Sequence, residues 1–444
     1  MQTKPLDYFY HVVLALATVT GAMTRKVVLA VHGGAGIISR SQLTSETEEL
    51  FRSALRAALT AGYGILTEKG CEDRQCKASA SVAADAVEAA VRCLEDCPLF
   101  NAGTGSVFGN DGRIRMDASI MVCSIEKSCS VTEGKVSGGQ RDKAVVGPDE
   151  INQNRRYPMT PQPQAGSVAG VENVKNPISL ARAVMERTPH VMLIGKGAEE
   201  FAQSLPKEVV ETQPDDYFWT ERRWEQLIEV RKREEQKQQQ HQDGTGTTHL
   251  PPKQVLEVQL DHAYEKGHDE QKFGTVGCVA LYIPEKKSEF NKPLTRPQLA
   301  SATSTGGMTN QRFNRVGDSP VIGAGTYANH LCAISCTGHG EHFIRWVAAH
   351  DIAKRLEYKH GYGSAEGKKD GSALKKAVDE VVFGTLMGDG KDGIDKGSGG
   401  VIALDRDGNF TAAMNCSGMY HGWVYDDGGM ETRIFWDECS PKEP

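Results

Sequence analysis

Residues 274–281, GTVGCVAL, decide the fold, because this short apolar run predicts a fully buried β-strand. The strand follows a long charged and glutamine-rich segment at 205–272, which predicts disorder because it carries too little apolar surface to fold, apart from a helical pattern at 217–230. A polar loop at 283–298 separates it from a second predicted strand, LASATSTGG at 299–307. The chain is therefore expected to pass abruptly from an unstructured segment into a buried sheet.

The elements around these strands predict a layered α/β fold with a mainly antiparallel core. Apolar residues recur at helical spacing behind the capping box SETE at 45–48. Residues 122–165 are irregular in composition and predict a surface insertion. The other predicted elements are a strand at 26–31 ended by a glycine-rich turn at 32–36, helices at 81–94, 177–201, 340–359 and 372–387, and a hairpin at 401–415.

The composition excludes some classes of partner. The 444-residue chain has a formal net charge of −7, which predicts no nucleic-acid partner. Its 11 cysteines include no CxxC pair, which indicates free thiols in a reducing compartment rather than a zinc site. Residues 1–24 predict an extension outside the fold, whose apolar run is too short to cross a bilayer but has the length of a signal-peptide core. We expect a cytoplasmic protein with no membrane partner; secretory or vacuolar targeting by residues 1–22 stays open.

The sequence lacks the motifs of two common hydrolase classes, since it has no GxSxG elbow and no HExxH helix. Three segments instead place threonine or serine beside glycine, at 274–277, 303–307 and 335–340. A single threonine in a strand reflects ordinary β-propensity. Glycine beside the hydroxyl, however, lets the backbone approach a ligand closely at a cost in strand stability. The recurrence of this pattern indicates a binding or catalytic site.

A pair of opposite charges lies between the second and third of these segments, in RVGDSP at 315–320. Arg315 and Asp318 can present a cation and an anion to one small zwitterion. The arginine would form a forked pair with an α-carboxylate, and the aspartate would pair with an α-ammonium group. A salt-bridged surface turn is the alternative interpretation of the same two residues.

Long stretches of the chain resemble the plant-type L-asparaginase and isoaspartyl peptidase family, a branch of the N-terminal-nucleophile (Ntn) hydrolases. The similar stretches are VHGGAG (31–36), CPLFNAGTGSVF (97–108), MDASIM (116–121), NPISLARAVMERTPHVMLIGKGAEEFA (176–202), GTVGCVAL (274–281), ATSTGGMTNQRFNRVGDSPVIGAGTYA (302–328), SCTGHGEHFIR (335–345) and GGVIALDRDGNFTAAMNCSGMY (399–420). The resemblance implies an αββα sandwich with two central, mainly antiparallel sheets. It also implies a small-molecule amidohydrolase that releases L-aspartate from L-asparagine or from β-aspartyl dipeptides.

The resemblance further implies a chain that cleaves itself between Gly274 and Thr275, giving an α subunit of 25–274 and a β subunit of 275–444. The Thr275 hydroxyl can attack the preceding carbonyl, and glycine at 274 tolerates the strained geometry that this attack requires. The freed α-amine, with a reference pKa of about 7.7–8.0, can then act as a general base for the hydroxyl. Two cleaved chains are implied to assemble as an (αβ)₂ heterotetramer.

Individual roles follow from the resemblance by position. The resemblance implies that Thr275 is the nucleophile and that Thr305 and Asn101 orient it. Thr337 and Gly338 are implied to form the oxyanion hole. The residues implied to bind the substrate are Arg315, Asp318, Thr337 and Gly338. No organic cofactor is implied. A structural sodium ion is implied in the loop 94–104, on the backbone carbonyls of Leu94, Glu95, Cys97, Phe100, Ala102 and Thr104.

Two other functions remain open from the sequence alone. Glycosylasparaginase, which hydrolyses sugar-linked asparagine, shares the RVGDSP motif but is cleaved at an Asp-Thr junction, whereas this chain has Gly274 before its threonine. A non-catalytic amino-acid binder is expected to have lost Thr275, Thr305 or Thr337, and all three are present. The family usually has glycine where this chain has Asn314, a difference that bears on substrate range.

Overall fold

A computed structural model of the chain describes residues 26–41, 43–67, 81–125, 162–242, 274–284, 297–362, 369–386 and 397–436. The extension predicted at 1–24, most of the insertion predicted at 122–165 and the last part of the segment 205–272 lie outside these residues. Within the described ranges the protein is a mixed α/β structure in which two sheets lie against each other and helices cover them.

The strands and helices follow one another along the chain as follows. The strands are β1 (Lys26–Gly36), β2 (Met116–Ser124), β3 (Gln164–Val171), β4 (Met192–Ile194), β5 (Val276–Ile283), β6 (Gln298–Thr305), β7 (Thr326–Ala328), β8 (Cys332–Gly338), β9 (Gly399–Asp405), β10 (Phe410–Met414), β11 (Gly418–Val424) and β12 (Met430–Arg433). The α-helices are α1 (Ser45–Thr67), α2 (Val82–Glu95), α3 (Pro177–Arg187), α4 (Gly195–Gln203), α5 (Glu221–Gln242), α6 (Gly340–Trp346), α7 (Ala348–Lys354) and α8 (Ser372–Asp379).

The larger sheet has the strand order β12-β11-β1-β5-β6-β2-β3-β4, and its neighbours are antiparallel except for the parallel pair β3 and β4. Strand β5 lies at its centre, with Ala280 opposite Leu29 of β1 on one side and Ala300 of β6 on the other. The strand is buried on both faces. This burial explains why its sequence is a continuous apolar run rather than an alternating one.

The smaller sheet, in the order β10-β9-β8-β7, is antiparallel and packs face to face on the larger one. Val279 and Leu299 of the larger sheet meet Ala333 and Ile402 of the smaller sheet in a core between them. Helices α1, α2 and α3 pack on the other face of the larger sheet, and α7 and α8 pack on the smaller one. None of the helices in the described ranges is long and apolar enough to cross a bilayer.

Three predicted elements differ from the structure. The strand predicted at 26–31 continues through the glycines at 32–36, because β11 pairs with it on both sides of a bulge between His32 and Ala35. The helix predicted at 177–201 is two helices, α3 and α4, with β4 between them. Helix α3 ends before Thr188, because Pro189 disfavours helical geometry at the residue before it. The helix predicted at 340–359 is interrupted where Val347 adopts a positive φ of 49°.

The disorder predicted for 205–272 is wrong for residues 205–242, whereas the helical pattern predicted at 217–230 is confirmed by α5. These residues form a 3₁₀ turn, Asp215–Phe218, and the helix α5. The reason is tertiary packing, since Phe218 and Leu227 are fully buried in the main core although the segment as a whole is polar. An average composition does not report where the few apolar residues point. Residues 243–272 lie outside the described part of the chain.

Candidate active site

Thr275 immediately precedes β5 and is nearly buried, with 6% of its surface exposed. The antiparallel register of β5 and β6 puts Val276 opposite Ser304, so Thr275 and Thr305 are neighbours on adjacent strands. The Thr275 hydroxyl donates a hydrogen bond to the Thr305 hydroxyl oxygen, with the two Oγ1 atoms 3.1 Å apart. The structure thus brings together two of the threonines that the sequence predicted to act together.

A third hydroxyl group, which sequence reasoning missed, faces the Thr275 hydroxyl oxygen. Ser319 is fully buried, and its Oγ donates a long contact of 3.5 Å to Thr275 Oγ1. Thr305 Oγ1 also accepts a hydrogen bond from the Gly307 N–H at 3.1 Å. The Thr275 oxygen is therefore flanked by hydroxyl groups on two sides. Ser319 lies in the same RVGDSP motif as Asp318, so its position in that motif was an available signal.

His32 of β1 holds the backbone of Thr275. Its Nδ1 lies 3.0 Å from the Thr275 carbonyl oxygen, and its Nε2 lies 2.8 Å from Ser335 Oγ. Burial lowers the pKa of His32 to about 3, against the opposing effect of the bond to Thr275, so the ring is neutral. A carbonyl can only accept, which places the proton on Nδ1 and makes Nε2 the acceptor for the Ser335 hydroxyl. His32 therefore orients Thr275 without adding charge.

The residue before Thr275 packs tightly against two other parts of the site. A methyl group built on Gly274 would lie 2.7 Å from Thr337 Oγ1, and one built on Gly34 would lie 2.4 Å from the Gly274 nitrogen. Thr337 is fully buried near the end of β8, and its Oγ1 accepts a hydrogen bond from the Ala35 N–H at 3.3 Å. The predicted cleavage bond and the predicted oxyanion residue Thr337, with Gly338 next to it in the chain, are neighbours.

Arg315 and Asp318 converge beside Gly340, where a methyl group would lie 3.0 Å from Arg315 Nη2 and 2.8 Å from Asp318 Oδ1. Glu341 holds the guanidinium group through two 3.0 Å hydrogen bonds from Nε and Nη2. Asp318 is 3% exposed, and its Oδ2 has no hydrogen-bond partner in the described part of the chain. Burial raises the pKa of Asp318 to about 7, although the Arg315 charge opposes the shift. This burial argues against a surface turn and favours a site for a small zwitterion.

A second buried carboxylate, Asp117 on β2, supports the same turn. Its Oδ1 accepts a hydrogen bond from the Gly170 N–H at 2.8 Å, and its Oδ2 accepts one from the Gly317 N–H at 3.4 Å. Burial raises the pKa of Asp117 to about 6, while the two backbone donors and the Arg315 charge oppose the shift. Asp117 lies opposite Thr305 in the sheet, so it connects the nucleophile strand to the charged turn. Sequence reasoning missed this role, although the stretch MDASIM that contains Asp117 was singled out.

Asn101 connects the loop after α2 to the end of β6. Its side-chain Nδ2 donates to the Gly307 carbonyl at 2.7 Å, and its Oδ1 accepts from the Val107 N–H at 3.1 Å. Its own carbonyl accepts from the Gly306 N–H at 3.0 Å. Asn101 therefore fixes the turn whose Gly307 amide binds Thr305. Within the described residues it forms no hydrogen bond with Thr275 itself.

The loop from Leu94 to Thr104 closes on itself at the end of α2. Thr104 Oγ1 donates to the Glu95 carbonyl at 3.1 Å, and the Cys97 N–H donates to the Leu94 carbonyl at 3.3 Å. The Glu95 carboxyl points into the core, where it accepts from Ser304 Oγ at 2.6 Å and where burial raises its pKa to about 8. Backbone carbonyls at a helix C-terminus suit a hard cation. No cluster of three or more His, Cys, Asp or Glu residues that could hold a metal occurs in the described ranges.

The sequence of the chain is also similar to those of known proteins. A sequence model of the asparaginase family matches residues 25–136 and 160–434. The isoaspartyl peptidase of Escherichia coli (strain K12) is 37% identical over 411 residues, covering 92% of this chain and 96% of that protein. The isoaspartyl peptidase/L-asparaginase of Rattus norvegicus is 33% identical over 404 residues, covering 91% and 87%. The plant-type L-asparaginase of Pyrococcus horikoshii is 32% identical over 405 residues, covering 91% and 98%.

Proposed function

Since this chain belongs to the asparaginase family, we propose that it activates itself by cutting the Gly274–Thr275 bond and then uses Thr275 as its nucleophile. The chain is a hydrolase of the isoaspartyl peptidase/L-asparaginase kind, acting on asparagine and on β-aspartyl peptides. The observation that carries the proposal is the 3.1 Å hydrogen bond between the Thr275 and Thr305 hydroxyls. Through this bond Thr275, which follows the proposed cleavage bond, contacts Thr305, which is proposed to orient it.

The proposed self-cleavage consists of an N-to-O acyl shift followed by hydrolysis of the resulting ester. The Thr275 oxygen attacks the Gly274 carbonyl carbon, the C–N bond breaks, and the nitrogen takes the hydroxyl proton. Water then hydrolyses the ester, which leaves a carboxylate on Gly274 and a free α-amine on Thr275. The tight packing of Gly274 against Gly34 and Thr337 supports this step, because it restricts the scissile peptide to a narrow set of geometries.

Substrate hydrolysis uses the same oxygen. The α-amine of Thr275 takes the hydroxyl proton, and Oγ1 attacks the side-chain amide carbonyl of asparagine or of a β-aspartyl dipeptide. Ammonia or the amine departs with that proton, and water releases aspartate from the Thr275 ester. Arg315 binds the substrate α-carboxylate, and Asp318, whose Oδ2 is buried without a partner in the described chain, binds the α-ammonium group.

The oxyanion hole in this scheme is formed by Thr337 and Gly338. The Thr337 oxygen accepts from the Ala35 N–H, and this hydroxyl donates no hydrogen bond to another described residue, so its proton is available for an oxygen that becomes negatively charged. Such preorganised donors are worth roughly 3–4 kcal/mol each in comparable enzymes. The proximity of Thr337 to Gly274 supports one oxyanion hole serving both self-cleavage and substrate hydrolysis.

The layers of the fold support assignment to the Ntn hydrolases as an αββα sandwich, with the nucleophile at the start of a central strand. We also propose that two cleaved chains form an (αβ)₂ heterotetramer. The loop 94–104 fits a sodium ion by the chemistry of its donors. The proposed ligands are the backbone carbonyls of Leu94, Glu95, Cys97, Phe100, Ala102 and Thr104. The ion would fix the loop that carries Asn101.

Aspartate release from L-asparagine and from a β-aspartyl dipeptide, measured side by side, tests the proposed reaction. Wild-type protein is expected to release aspartate from both, and Thr275→Ala from neither. Release of aspartate from a sugar-linked asparagine alone would favour glycosylasparaginase activity. Binding of aspartate without any turnover would favour a non-catalytic binder. Either of these last two results would contradict the proposal.

A further inference from the structure

The helix α5 is charged along most of its length, yet its first turns are held in the core. Phe218, just before it, and Leu227 are fully buried. Trp224 packs edge-on against Phe108, with ring centroids 5.2 Å apart. This helix precedes the proposed cleavage bond in the chain, within a segment that the sequence predicted to be disordered apart from a helical pattern at 217–230. It is instead packed against the loops that build the active site.

Arg223 reaches from α5 to the loop behind the nucleophile. Its side chain is 1% exposed, and its Nε donates a hydrogen bond of 2.7 Å to the Gly105 carbonyl. Its Nη1 donates to Gln226 Oε1 on the same helix at 3.0 Å. Burial lowers the pKa of Arg223 to about 9, so the group is still a cation at neutral pH. Gly105 lies within the loop whose two ends, Asn101 and Val107, are tied together by the Asn101 side chain.

This anchoring extends to the nucleophile through a short series of contacts. Asn101 binds the Gly307 carbonyl, and the Gly307 N–H binds Thr305 Oγ1. Thr305 Oγ1 accepts the hydrogen bond from Thr275. A displacement of the loop at its Arg223 contact would therefore move the groups that orient Thr275.

The second half of α5 contacts the turn that leads to the substrate arginine. Asn310 Nδ2 donates to Glu234 Oε2 at 2.9 Å. Asn310 has a positive φ of 63°, a left-handed conformation that asparagine adopts more readily than most residues. The next residue, Gln311, accepts from Arg315 Nη1 at 3.4 Å through its Oε1. Glu234 thus stabilises the turn from which Arg315 projects.

We infer that α5 is a positioning element for both halves of the active site. Arg223 is a positioning residue that acts on the nucleophile, so replacing it is expected to lower kcat. Glu234 is a positioning residue that acts on the substrate-binding turn, so replacing it is expected to raise KM. This inference rests on the proposed function, because it takes Thr275 as the nucleophile and Arg315 as the carboxylate anchor.

Steady-state kinetics of the full-length, self-cleaved protein on a β-aspartyl dipeptide test the inference. In Arg223→Met the Gly105 carbonyl loses its donor while the apolar stem remains, and we expect kcat to fall about tenfold with KM within about twofold. In Glu234→Ala we expect KM to rise about fivefold at unchanged kcat. The matched control is Glu225→Ala, an exposed residue of the same helix that is expected to keep wild-type values.

Two conservative variants separate positioning from general stability. Arg223→Lys keeps a donor and Glu234→Gln keeps an acceptor, so each is expected to recover most of the loss, with kcat normalised to the amount of cleaved chain. The inference is overturned if Arg223→Met and Glu234→Ala behave like Glu225→Ala, or if both lower kcat and raise KM alike without rescue. If Arg223→Met does not fold, the comparison of Glu234→Ala with Glu234→Gln tests the inference by itself. Wild-type protein that releases no aspartate would instead contradict the proposed function.

Discussion

Within the described residues, the Thr275 side chain forms hydrogen bonds with two hydroxyl groups, those of Thr305 and Ser319. His32 binds the Thr275 carbonyl rather than its hydroxyl, and it is neutral. A hydroxyl group has no basicity at neutral pH with which to activate another. The base that the chemistry requires is therefore best supplied by the α-amine that cleavage would create on Thr275 itself.

Removing the Thr305 hydroxyl tests the role of this contact. Thr305→Ala is expected to lower kcat on the order of 100-fold, because the Thr275 oxygen loses the group that orients it for proton transfer and attack. Thr305→Ser keeps the hydroxyl and is expected to stay within about tenfold of wild type. Rates of aspartate release at saturating substrate measure both. Equal activity in all three proteins would remove Thr305 from the mechanism.

The raised pKa of Asp318 predicts a pH dependence of substrate capture. The ionised carboxylate is the form that pairs with an ammonium group, so binding is present above about pH 7 and is lost as the pH falls through about 7. Because the Thr275 α-amine must also be deprotonated, we expect kcat/KM of wild-type protein to fall about tenfold per pH unit just below the pKa of that amine, and about 100-fold per pH unit below the pKa of Asp318. The measurement is kcat/KM between pH 5 and pH 9, at fixed ionic strength.

Asp318→Asn provides the control for that profile. It cannot ionise, so it is expected to have a low kcat/KM at every pH and to lack the limb near pH 7. A separate limb from the Thr275 α-amine, with a reference pKa of about 7.7–8.0, is expected to remain. A variant profile with the same shape as that of the wild type would show that Asp318 is not the group responsible.

Local patterns in the sequence identified some site residues and missed others. Thr275 and Thr305 lie in strand segments where glycine accompanies hydroxyl residues, Asp318 lies in a charged turn, and the family resemblance then gave each of them a role. His32 and Glu341 were missed, because their roles depend on contacts with segments far away in the chain. A hydrogen bond between His32 and Thr275 spans 243 residues, and no periodicity reports it.

At the scale of elements, the central strands were predictable and the glycine-rich strand was not. The apolar run of β5 and the helix α2 match their predicted positions closely. Strand β1 was expected to end at Val31, before the glycine-rich stretch 32–36, because glycine usually weakens a strand. Pairing with β11 beyond the bulge overrides that local preference. The same is true of α5, whose order comes from packing rather than from composition.

Gly34 offers a test of the contact between β1 and the cleavage bond. It has a φ of 109°, and a methyl group there would lie 2.4 Å from the Gly274 nitrogen. Gly34→Ala is therefore expected to slow self-cleavage at least about tenfold, because the scissile peptide must move. The fraction of cut chain on a denaturing gel, followed over time, measures this.

Gly64→Ala is the matched control, since a methyl group at that position in α1 meets no atom within 4 Å apart from the neighbouring backbone of its own helix. Replacing glycine by alanine inside a helix stabilises it by about 0.5–1 kcal/mol, so this variant is expected to cleave normally and to unfold at a slightly higher temperature. Normal cleavage in Gly34→Ala as well would contradict the proposed importance of this contact.

At the scale of the whole molecule, the two proposed subunits are interleaved in one sheet. Strand β1, from before the cleavage bond, lies between β5 and β11, which both come after it. Strand β6 likewise pairs with β2. Cutting one peptide bond leaves these ladders and the buried cores intact. The fragments are therefore expected to behave as one folded unit.

Size-exclusion chromatography tests this expectation. Both fragments of cleaved protein are expected to co-elute in native buffer and to separate only in denaturant. With light scattering, the proposed heterotetramer predicts a mass about twice the 48.3 kDa of one chain. Fragments that separate in native buffer would contradict the interleaved sheet, and a mass of one chain would contradict the assembly.

The most direct test of the central claim is the intact mass of the purified protein together with the N-terminal sequence of its smaller fragment. The account predicts two fragments from wild-type protein, with the smaller one beginning at Thr275, and one uncut chain from Thr275→Ala. A wild-type protein that releases aspartate as a single uncut chain, or that is cut elsewhere, would contradict the claim that Thr275 becomes the nucleophile by cleavage.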